Sequence, residues 1–361
     1  MTELDPSDRP EALEPLGFVS GRIALDMCEA GWAFAMAGGP LAFTHARWRG
    51  DLLNAEALRR RAMHEDMDED GALTAALEAV TRPRPAFAGL ALSGAQARPR
   101  LMGVCNVTPD SFSDGGEHAD PAAAITFGRE LAAAGADIID VGGESTRPGA
   151  QPVSEDEECA RVVPVVEVLA ADGLVVSIDT RHAGVMQAAL DAGARIVNDV
   201  AALTGPGTLE TVAASQAFVI LMHMQGTPRD MQANPQYRDV VTDIYDWLSE
   251  RVQACRTAGI SLDRLAVDPG FGFGKTVDHN AALLARLGLF QGLGCPVAVG
   301  LSRKSFIGAW TGEDDPARRV TGSVAAALSA VGQGAQIVRV HDVAETRDAL
   351  DVWHARTRAL L

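Results

Sequence analysis

Eight short apolar segments after residue 100 of this 361-residue chain each end in polar residues that could bind a substrate. These closing residues carry carboxylates, amides, hydroxyls and cations, the groups that orient polar ligands in protein sites. They are Asn106, Thr146 with Arg147, Asp179, Asn198, His223, Asp268, Lys304, and Arg339 with His341. Each one alone is more typical of a helix cap or a turn, and His223 is as typical of a structural histidine as of a base. Eight such positions in register favour one shared site.

Three of the closing side chains are well suited to accept hydrogen bonds. Asp179, Asn198 and Asp268 can together accept from several N–H groups, which suits a heterocycle that carries an amino group beside a ring N–H. Lys304 would then donate to a carbonyl or imine nitrogen of the same ring. We therefore predict an acceptor-rich half of the site.

The remaining cations suit a different part of a ligand. Arg147, Arg339 and His341 supply donors for phosphate oxygens, and each arginine can do so through two parallel hydrogen bonds. We therefore predict a cationic half of the site, separate from the acceptor-rich half. A ligand with a polar ring and a phosphate group would fill both.

The segment after the first apolar run, NVTPDSFSDGG at residues 106–116, is rich in turn formers, hydroxyls and carboxylates. Its one ring, Phe112, and its glycine pair favour a mobile lid. Asn106 and the loop carboxylates Asp110 and Asp114 could hold a hydrated Mg²⁺, which prefers few protein ligands beside phosphate oxygens and water. A solvated Ω-loop explains the same composition equally well.

Only two of the 31 basic residues are lysines, Lys275 and Lys304, which indicates that arginine replaces lysine wherever a cation alone suffices. Lys304 stands in SRKS at the end of the seventh apolar run. A compact ammonium with three donors can act there where a planar guanidinium cannot. We therefore predict a function for Lys304, whereas chance retention explains Lys275 as well as a function does.

The apolar runs are rich in Val, Ile and Leu without strict alternation, which is typical of parallel strands covered on both faces. Segments with helical spacing separate them, and glycines follow several of these segments. The predicted strands are Leu101–Val107, Ala136–Gly143, Leu174–Thr180, Arg195–Val200, Ala217–His223, Leu265–Gly270, Pro296–Ser302 and Gln336–Asp342. Eight such units over roughly 260 residues predict an α/β fold, a (β/α)₈ TIM barrel with its site at the carboxyl ends of the strands.

The chain before the barrel forms a second part of the protein. We divide the sequence into an N-terminal extension of uncertain structure, residues 1–97, and a barrel domain, residues 98–361. Helical spacing occurs at residues 51–63 and 72–80, and residues 87–92 are typical of a strand. We expect this strand to pair with the first barrel strand and to close the bottom of the barrel.

The composition excludes several partners. A formal net charge of −17 argues against nucleic acid and anionic membranes. The acidic amino terminus lacks the basic and apolar regions of a secretory signal, and no uncharged apolar run approaches the ~20 residues of a membrane-spanning helix. The five cysteines are far apart, without a CxxC pair, which is typical of reduced thiols. We therefore expect a cytoplasmic protein whose partners are small-molecule substrates.

Eight segments of the chain, in their order and spacing, closely resemble the dihydropteroate synthases, a family of pterin-binding enzymes. The segments are NVTPDSFSDGG, IIDVGGESTRPGA, SIDT, IVNDV, LMHMQG, DPGFGFGK, VGLSRKSFIG and IVRVHDV. The resemblance runs from about residue 99 to the carboxyl terminus. It implies that the chain joins 6-hydroxymethyl-7,8-dihydropterin diphosphate to p-aminobenzoate, with Mg²⁺, to give 7,8-dihydropteroate and diphosphate for folate synthesis.

The resemblance also implies a role for each matching residue. The residues that hold the pterin ring would be Asp179, Asn198, Asp268 and Lys304. Those that bind the diphosphate would be Asn106, which also binds Mg²⁺, together with Thr146, Arg339 and His341. Those around p-aminobenzoate would be Phe112, Arg147, Pro148 and Ser305. We expect catalysis to depend on Lys304, Arg339, His341 and the loop residue Asp114.

Two other functions remain open. A pterin-binding methyltransferase that hands a folate methyl group to a corrinoid protein would need only the acceptor-rich half, and the SRKS and RVHD segments argue against it. A catalytically idle barrel that serves as a binding module would show damaged site residues, whereas the positions that carry the resemblance match. The sequence leaves open whether the protein forms a homodimer.

Overall fold

The computed structural model describes residues 12–64, 68, 71–94, 97–108, 120–144, 153–227 and 230–358. Within them lie a four-stranded antiparallel sheet near the amino terminus and an eight-stranded parallel sheet. Six predicted site residues lie outside the described residues. They are Asp110, Phe112, Asp114, Thr146, Arg147 and Pro148.

The amino-terminal sheet contains strands β1 (Glu14–Ser20), β2 (Phe34–Ala35), β3 (Leu41–Trp48) and β4 (Asp51–Asn54), and β3 pairs with the other three. Three helices accompany the sheet, at Arg22–Glu29, Ala55–Met63 and Ala72–Thr81. The helices Ala55–Met63 and Ala72–Thr81 bury one cluster against the sheet, which includes Phe43, Trp48, Leu58 and Leu73. The helix Arg22–Glu29 packs in a smaller cluster through Ala24. The extension therefore has a hydrophobic core of its own.

The helix predicted at residues 51–63 begins four residues later than predicted. Asp51–Asn54 pairs with β3 as a strand, so that hydrogen bonding to the sheet replaces the first helical turn. The side chain of Asn54 then caps the helix, because its Oδ1 accepts from the backbone N–H of Ala57 at 2.8 Å.

Eight parallel strands form the barrel. They are β5 (Arg100–Asn106), β6 (Ile138–Gly142), β7 (Val176–Asp179), β8 (Ile196–Asp199), β9 (Phe218–Met222), β10 (Leu265–Asp268), β11 (Ala298–Gly300) and β12 (Ile337–Val340). Neighbours pair in the order β10-β9-β8-β7-β6-β5-β12-β11. A parallel bridge between Val267 and Val297 joins the two ends of this order. The predicted (β/α)₈ barrel is confirmed, and each predicted strand overlaps one observed strand.

Helices cover the outside of the barrel. They span Pro121–Ala133, Glu155–Ala171, Ala183–Asp191, Thr208–Ala213, Val240–Thr257, Val277–Ala285, Ser305–Thr311, Val320–Val331 and Val343–Arg358. Polar side chains cap several of them; Asp239, for example, accepts from the N–H groups of Val241 and Thr242. Among the described helices, none combines the length and the hydrophobicity that crossing a membrane requires.

The segment predicted as the strand Phe87–Leu92 forms a tight turn, so that prediction is wrong. Phe87 and Leu90 exchange backbone hydrogen bonds of 3.0 and 2.8 Å, and Ala88 and Gly89 have φ values of +50° and +86°. Two successive positive φ angles are typical of a turn that folds a chain back on itself. The segment therefore satisfies its backbone groups locally and does not pair with β5.

The same turn fills the amino-terminal end of the barrel. Phe87 is 1% exposed and packs edge-to-face on Phe218, with 5.0 Å between the ring centroids. Around it lie the inward side chains near the strand starts, which are Met102, Ile138, Ile196, Ile220, Ala266, Ala298 and Ile337. An apolar plug from the extension thus covers one end of the barrel.

Two buried polar contacts fix the extension to the barrel. Arg84, which is 1% exposed, donates to the backbone and side-chain oxygens of Gln291 at 2.8 and 3.1 Å. Arg286 donates to the buried carboxylate of Glu14 at 2.6 Å and pairs with Asp239 at 3.0 Å. The position of the extension is therefore set by specific hydrogen bonds as well as by apolar packing.

We expect Phe87→Ala to lower the free energy of unfolding by about 3–5 kcal/mol, because the variant leaves a cavity at the centre of the plug. Urea denaturation followed by circular dichroism measures the loss. The control is Leu52→Ala, at a residue that is 63% exposed, where the change should stay within about 0.5 kcal/mol. Equal stabilities for the Phe87 variant and the parent would show that the plug contributes nothing.

Candidate active site

The carboxyl ends of the barrel strands bring the described candidate residues to one rim. Asn106, Asp179 and Asp268 end their strands, and Asn198 and Arg339 lie one residue before the end of theirs. Lys304 and Ser305 begin the helix after β11, and His341 follows β12. Asn106 and Asp179 face the same glycine, since a Cβ on Gly142 would lie 3.6 Å from Oδ1 of Asn106 and 3.5 Å from Cβ of Asp179.

Arg339 lies inside the barrel between two carboxylates. Its Nε donates to Oδ2 of Asp140 at 2.6 Å, and its Nη2 donates to Oδ2 of Asp179 at 2.7 Å. Asn198 donates to the same oxygen of Asp140 at 3.2 Å. The predicted separation into an acceptor-rich half and a cationic half therefore does not hold for Arg339, because two buried carboxylates draw the guanidinium toward them.

Asp140 is a site residue that the strand-end pattern missed. It stands third in β6, within the apolar run IIDVG, and it is fully buried. Its Oδ1 has no hydrogen-bond partner among the described residues. The sequence did contain a signal for Asp140, because a carboxylate within an apolar strand is buried, and buried acids are rare unless they are paired. The unpaired oxygen is an acceptor that a ligand N–H can satisfy.

Burial shifts the protonation of the acidic groups at the rim. It raises the pKa of Asp179 to about 7, although the Arg339 charge opposes the shift. Burial also raises the pKa of Asp268, against the charge of Lys304 and a 2.7 Å hydrogen bond from the N–H of Gly270. The charge of Asp179 therefore responds to pH near neutrality, and Asp268 keeps its proton to a higher pH than an exposed carboxyl group does.

Lys304 is held at the mouth of the barrel. Its Nζ donates to the backbone carbonyl of Phe271 and lies 4.5 Å from the ring centroid of Phe273. Burial lowers the pKa of Lys304 to about 7, and the carboxylate of Asp268 opposes that shift. Arg339 behaves in the opposite way: burial alone would lower its pKa, but Asp140 and Asp179 raise it above its ordinary value. Arg339 is thus a permanent cation, whereas Lys304 can lose its charge.

His341 is fixed at the other side of the rim. Its Nδ1 lies 3.1 Å from Oγ of Ser302, and its backbone N–H donates to the same hydroxyl at 3.2 Å. The neighbouring Arg303 forms an ion pair with Asp342, with 3.0 Å between Nε and Oδ2. The contacts with Ser302 hold the imidazole at the rim of the barrel.

His223 is a structural residue in this arrangement. Its Nδ1 lies 3.0 Å from Nζ of Lys275, and its ring packs edge-on against Trp247, 4.9 Å between centroids. Burial, together with the nearby Lys275, lowers the pKa of His223 well below its ordinary value. The geometry therefore favours the structural interpretation over a role as a base.

The described residues contain no group of three or more His, Cys, Asp or Glu side chains that could hold a metal ion. Asn106, half-buried at the end of β5, offers one amide oxygen. This donor set is small, and it suits a cation that takes most of its ligands from a substrate and from water.

Fold and rim together define a class of protein: a TIM barrel with a buried polar site at the carboxyl ends of its strands. Residues 102–341 of the chain match the family of pterin binding enzymes. The dihydropteroate synthase of Escherichia coli (strain K12) is 48% identical over 264 residues, which cover 73% of this chain and 93% of that protein.

Solved structures give the same result. The Xanthomonas albilineans dihydropteroate synthase with 4-aminobenzoic acid is 53% identical and has a TM-score of 0.68, covering 72% of this chain and 93% of that one. The dihydropteroate synthase from the same organism in complex with 7,8-dihydropteroate is 50% identical and has a TM-score of 0.66. The match covers 72% of this chain and 94% of that chain. The chain belongs to the family of pterin binding enzymes.

We expect Asp179→Asn to flatten the pH dependence of the free energy of unfolding between about pH 4 and 7. The folded-state pKa of Asp179 is raised to about 7, so the folded protein binds more protons than the unfolded chain in this window. The free energy of unfolding therefore falls as the pH rises through this window and Asp179 loses its proton. An asparagine does not titrate, so the variant should lack this part of the fall.

Urea denaturation at several pH values measures the slope. Asp278→Asn removes an exposed carboxylate and leaves the buried cluster intact, so it serves as the control. If the Asp179→Asn variant showed the same pH dependence of stability as the parent, the raised pKa of Asp179 would be contradicted.

Proposed function

We propose that the protein is a dihydropteroate synthase, which joins 6-hydroxymethyl-7,8-dihydropterin diphosphate to p-aminobenzoate and releases diphosphate. The observation that carries the proposal is the set of buried acceptors at the rim: Asp140, Asp179, Asn198 and Asp268. Similarity at about 50% identity to an enzyme solved with 7,8-dihydropteroate supports the same substrate for this chain.

The pterin ring presents an amino group, ring N–H groups and a carbonyl along one edge. The acceptors match the donors of that edge, and the unpaired Oδ1 of Asp140 adds one more acceptor than the sequence predicted. Lys304 would donate to the carbonyl or to a ring nitrogen. Asp179 is 9% exposed and Asp268 is 6% exposed. Hydrogen bonds from a matching ring to these buried carboxyl groups are stronger than they would be in water.

The diphosphate would lie toward Asn106 and His341. Arg339 uses Nε and Nη2 for its two carboxylates and would contact a substrate oxygen through Nη1. The family resemblance implies that His341 also binds the phosphates. By the family resemblance, Thr146 would also contact this group. The Arg339 charge is shared with Asp140 and Asp179, so its proposed role at the phosphates is weaker than that of an unpaired arginine.

Mg²⁺ would be held by Asn106 and by oxygens of the substrate. When bound, the cation would neutralise charge on the departing diphosphate. Asn106, at the end of β5, fits this role as a single neutral ligand. A carboxylate of the segment that follows, Asp110 or Asp114, would assist, and both lie outside the described residues.

The reaction needs no nucleophile from the protein, because the amine of p-aminobenzoate attacks the exocyclic methylene carbon as the carbon–oxygen bond to diphosphate breaks. The chain's residues orient the two substrates and stabilise charge. The buried acceptors hold the dihydropterin in one plane, and His341 donates to the leaving oxygens. Ser305, exposed beside Lys304, would line the p-aminobenzoate pocket with Phe112, Arg147 and Pro148.

We also propose a cytoplasmic location and a homodimer. All five cysteines are free thiols, which supports a reducing compartment. Size-exclusion chromatography with light scattering tests the second point, and a monomer at micromolar concentration would exclude the dimer.

An assay of diphosphate release tests the activity. We expect release only when pterin diphosphate, p-aminobenzoate and Mg²⁺ are all present, with 7,8-dihydropteroate formed in equal amount. Release without p-aminobenzoate, or no release at all, would overturn the proposal. Methyl transfer from a methylated folate in the absence of diphosphate would point to the methyltransferase instead.

Lys304→Arg should lower kcat/KM for pterin diphosphate roughly 10- to 100-fold, although the cation is retained. The wider guanidinium must displace the ring or leave a buried acceptor unpaired, at a cost of about 1–3 kcal/mol. Steady-state kinetics measure the change, and Arg60→Lys, at an exposed position of the extension, is the matched control. Parental kinetics of the Lys304 variant would remove this residue from the site.

Asn106→Ala should raise the Mg²⁺ concentration that gives half-maximal activity by about tenfold, because one ligand of the cation is lost and water replaces it. Titration of activity with MgCl₂ at saturating substrates measures the shift. A proportional loss of activity at every Mg²⁺ concentration would instead assign Asn106 to the diphosphate alone.

A further inference from the structure

The loop after β10, residues 270–274 with the sequence GFGFG, has one backbone hydrogen bond of its own among the described residues, from the N–H of Phe273 to the carbonyl of Gly270 at 3.2 Å. Gly270, Gly272 and Gly274 have φ values of +71°, +78° and +65°, which side chains other than glycine rarely adopt. A Cβ on Gly270 would lie 1.9 Å from the carbonyl oxygen of His223, so the loop lies directly against the end of β9. Contacts from other parts of the chain must fix such a loop.

Four successive carbonyls of this loop each accept a hydrogen bond from a side chain. Lys304 donates to Phe271, Gln232 to Gly272 at 2.5 Å, Lys275 to Phe273 at 2.9 Å, and Tyr237 to Gly274 at 2.8 Å. The two lysines of the chain thus hold alternate carbonyls of one loop.

Lys275 is the buried member of this set. It is 3% exposed, and its Nζ lies 3.0 Å from Nδ1 of His223 and 3.4 Å from the His223 carbonyl oxygen. Within the described part of the chain, no carboxylate forms an ion pair with it. Burial lowers the pKa of Lys275 well below its ordinary value. Its amino group joins the end of β9 to the loop through the His223 and Phe273 carbonyls.

We propose that Lys275 is a positioning residue for the substrate site. By holding the Phe273 carbonyl against the end of β9, it keeps the Phe273 ring over the Lys304 amine and so fixes where that amine stands. The proposal rests on the proposed function, in which Lys304 binds substrate. The single Nζ of Lys275 reaches the His223 ring and two backbone carbonyls, whereas a planar guanidinium directs its donors in a fixed fork. This explains why lysine is kept at a second position of a chain that otherwise uses arginine.

The test uses Lys275→Met in the full-length protein, because methionine has a similar length and no donor. Hydrogen–deuterium exchange without substrate reports the amides of residues 270–275, and we expect at least tenfold faster exchange there. Steady-state kinetics should show a tenfold or larger rise in KM for at least one substrate, with kcat changed less than threefold. Arg264→Met is the control, since Arg264 donates to the carbonyls of Ala217 and Val212 near the opposite end of the barrel.

Two further variants separate positioning from a general loss of stability. Phe273→Leu removes the ring while the backbone carbonyl and its lysine remain, so KM should rise and loop exchange should stay parental. Lys275→Gln retains an N–H donor, and its KM should fall between those of the parent and of Lys275→Met.

Parental KM values in Lys275→Met, or in Phe273→Leu if the former does not fold, would overturn the proposal. A fall in kcat at constant KM would overturn it as well. If the parent protein releases no diphosphate, the proposed function fails, and the exchange data still decide whether Lys275 holds the loop.

Discussion

The ion pairs of Arg339 with Asp140 and Asp179 are the interaction on which the site depends. They join β12 to β6 and β7 inside the barrel, across β5. Removing one partner from a buried arrangement of this kind typically costs about 3–5 kcal/mol, because the remaining charges lose their compensation. The same carboxylates are proposed to bind substrate. The groups that recognise the ligand are therefore also groups that hold the strands in place.

Local sequence patterns predicted the barrel and most of the rim. Apolar runs without alternation located all eight strands, and the residues that close them located Asp179, Asn198, Asp268 and Lys304 on one edge. Both results follow from short-range rules: strand composition, and the meeting of parallel strands at their carboxyl ends.

The contacts that the sequence did not predict are long-range or break a local rule. Arg339 and Asp140 are 199 residues apart, and nothing in either segment indicates that they meet inside the barrel. Asp140 stands within a strand and not at its end, so the strand-end criterion passed over it. The turn at Phe87–Leu90 has the composition of a strand, but two positive φ angles at Ala88 and Gly89 fold it back on itself. Propensity alone gives no sign of that reversal.

The two lysines differ in how accessible their amino groups are to solvent. Lys275 is buried, whereas Lys304 is half-buried at the mouth of the barrel, with a pKa lowered to about 7. Of the two lysine side chains, a reagent that acylates amines therefore reaches Lys304 more readily, and Lys304 stands where the substrate is proposed to bind. Peptide mapping after acylation separates the Lys304 adduct from that of the α-amino group, and the fraction of Lys304 that a ligand protects measures the occupancy of the site.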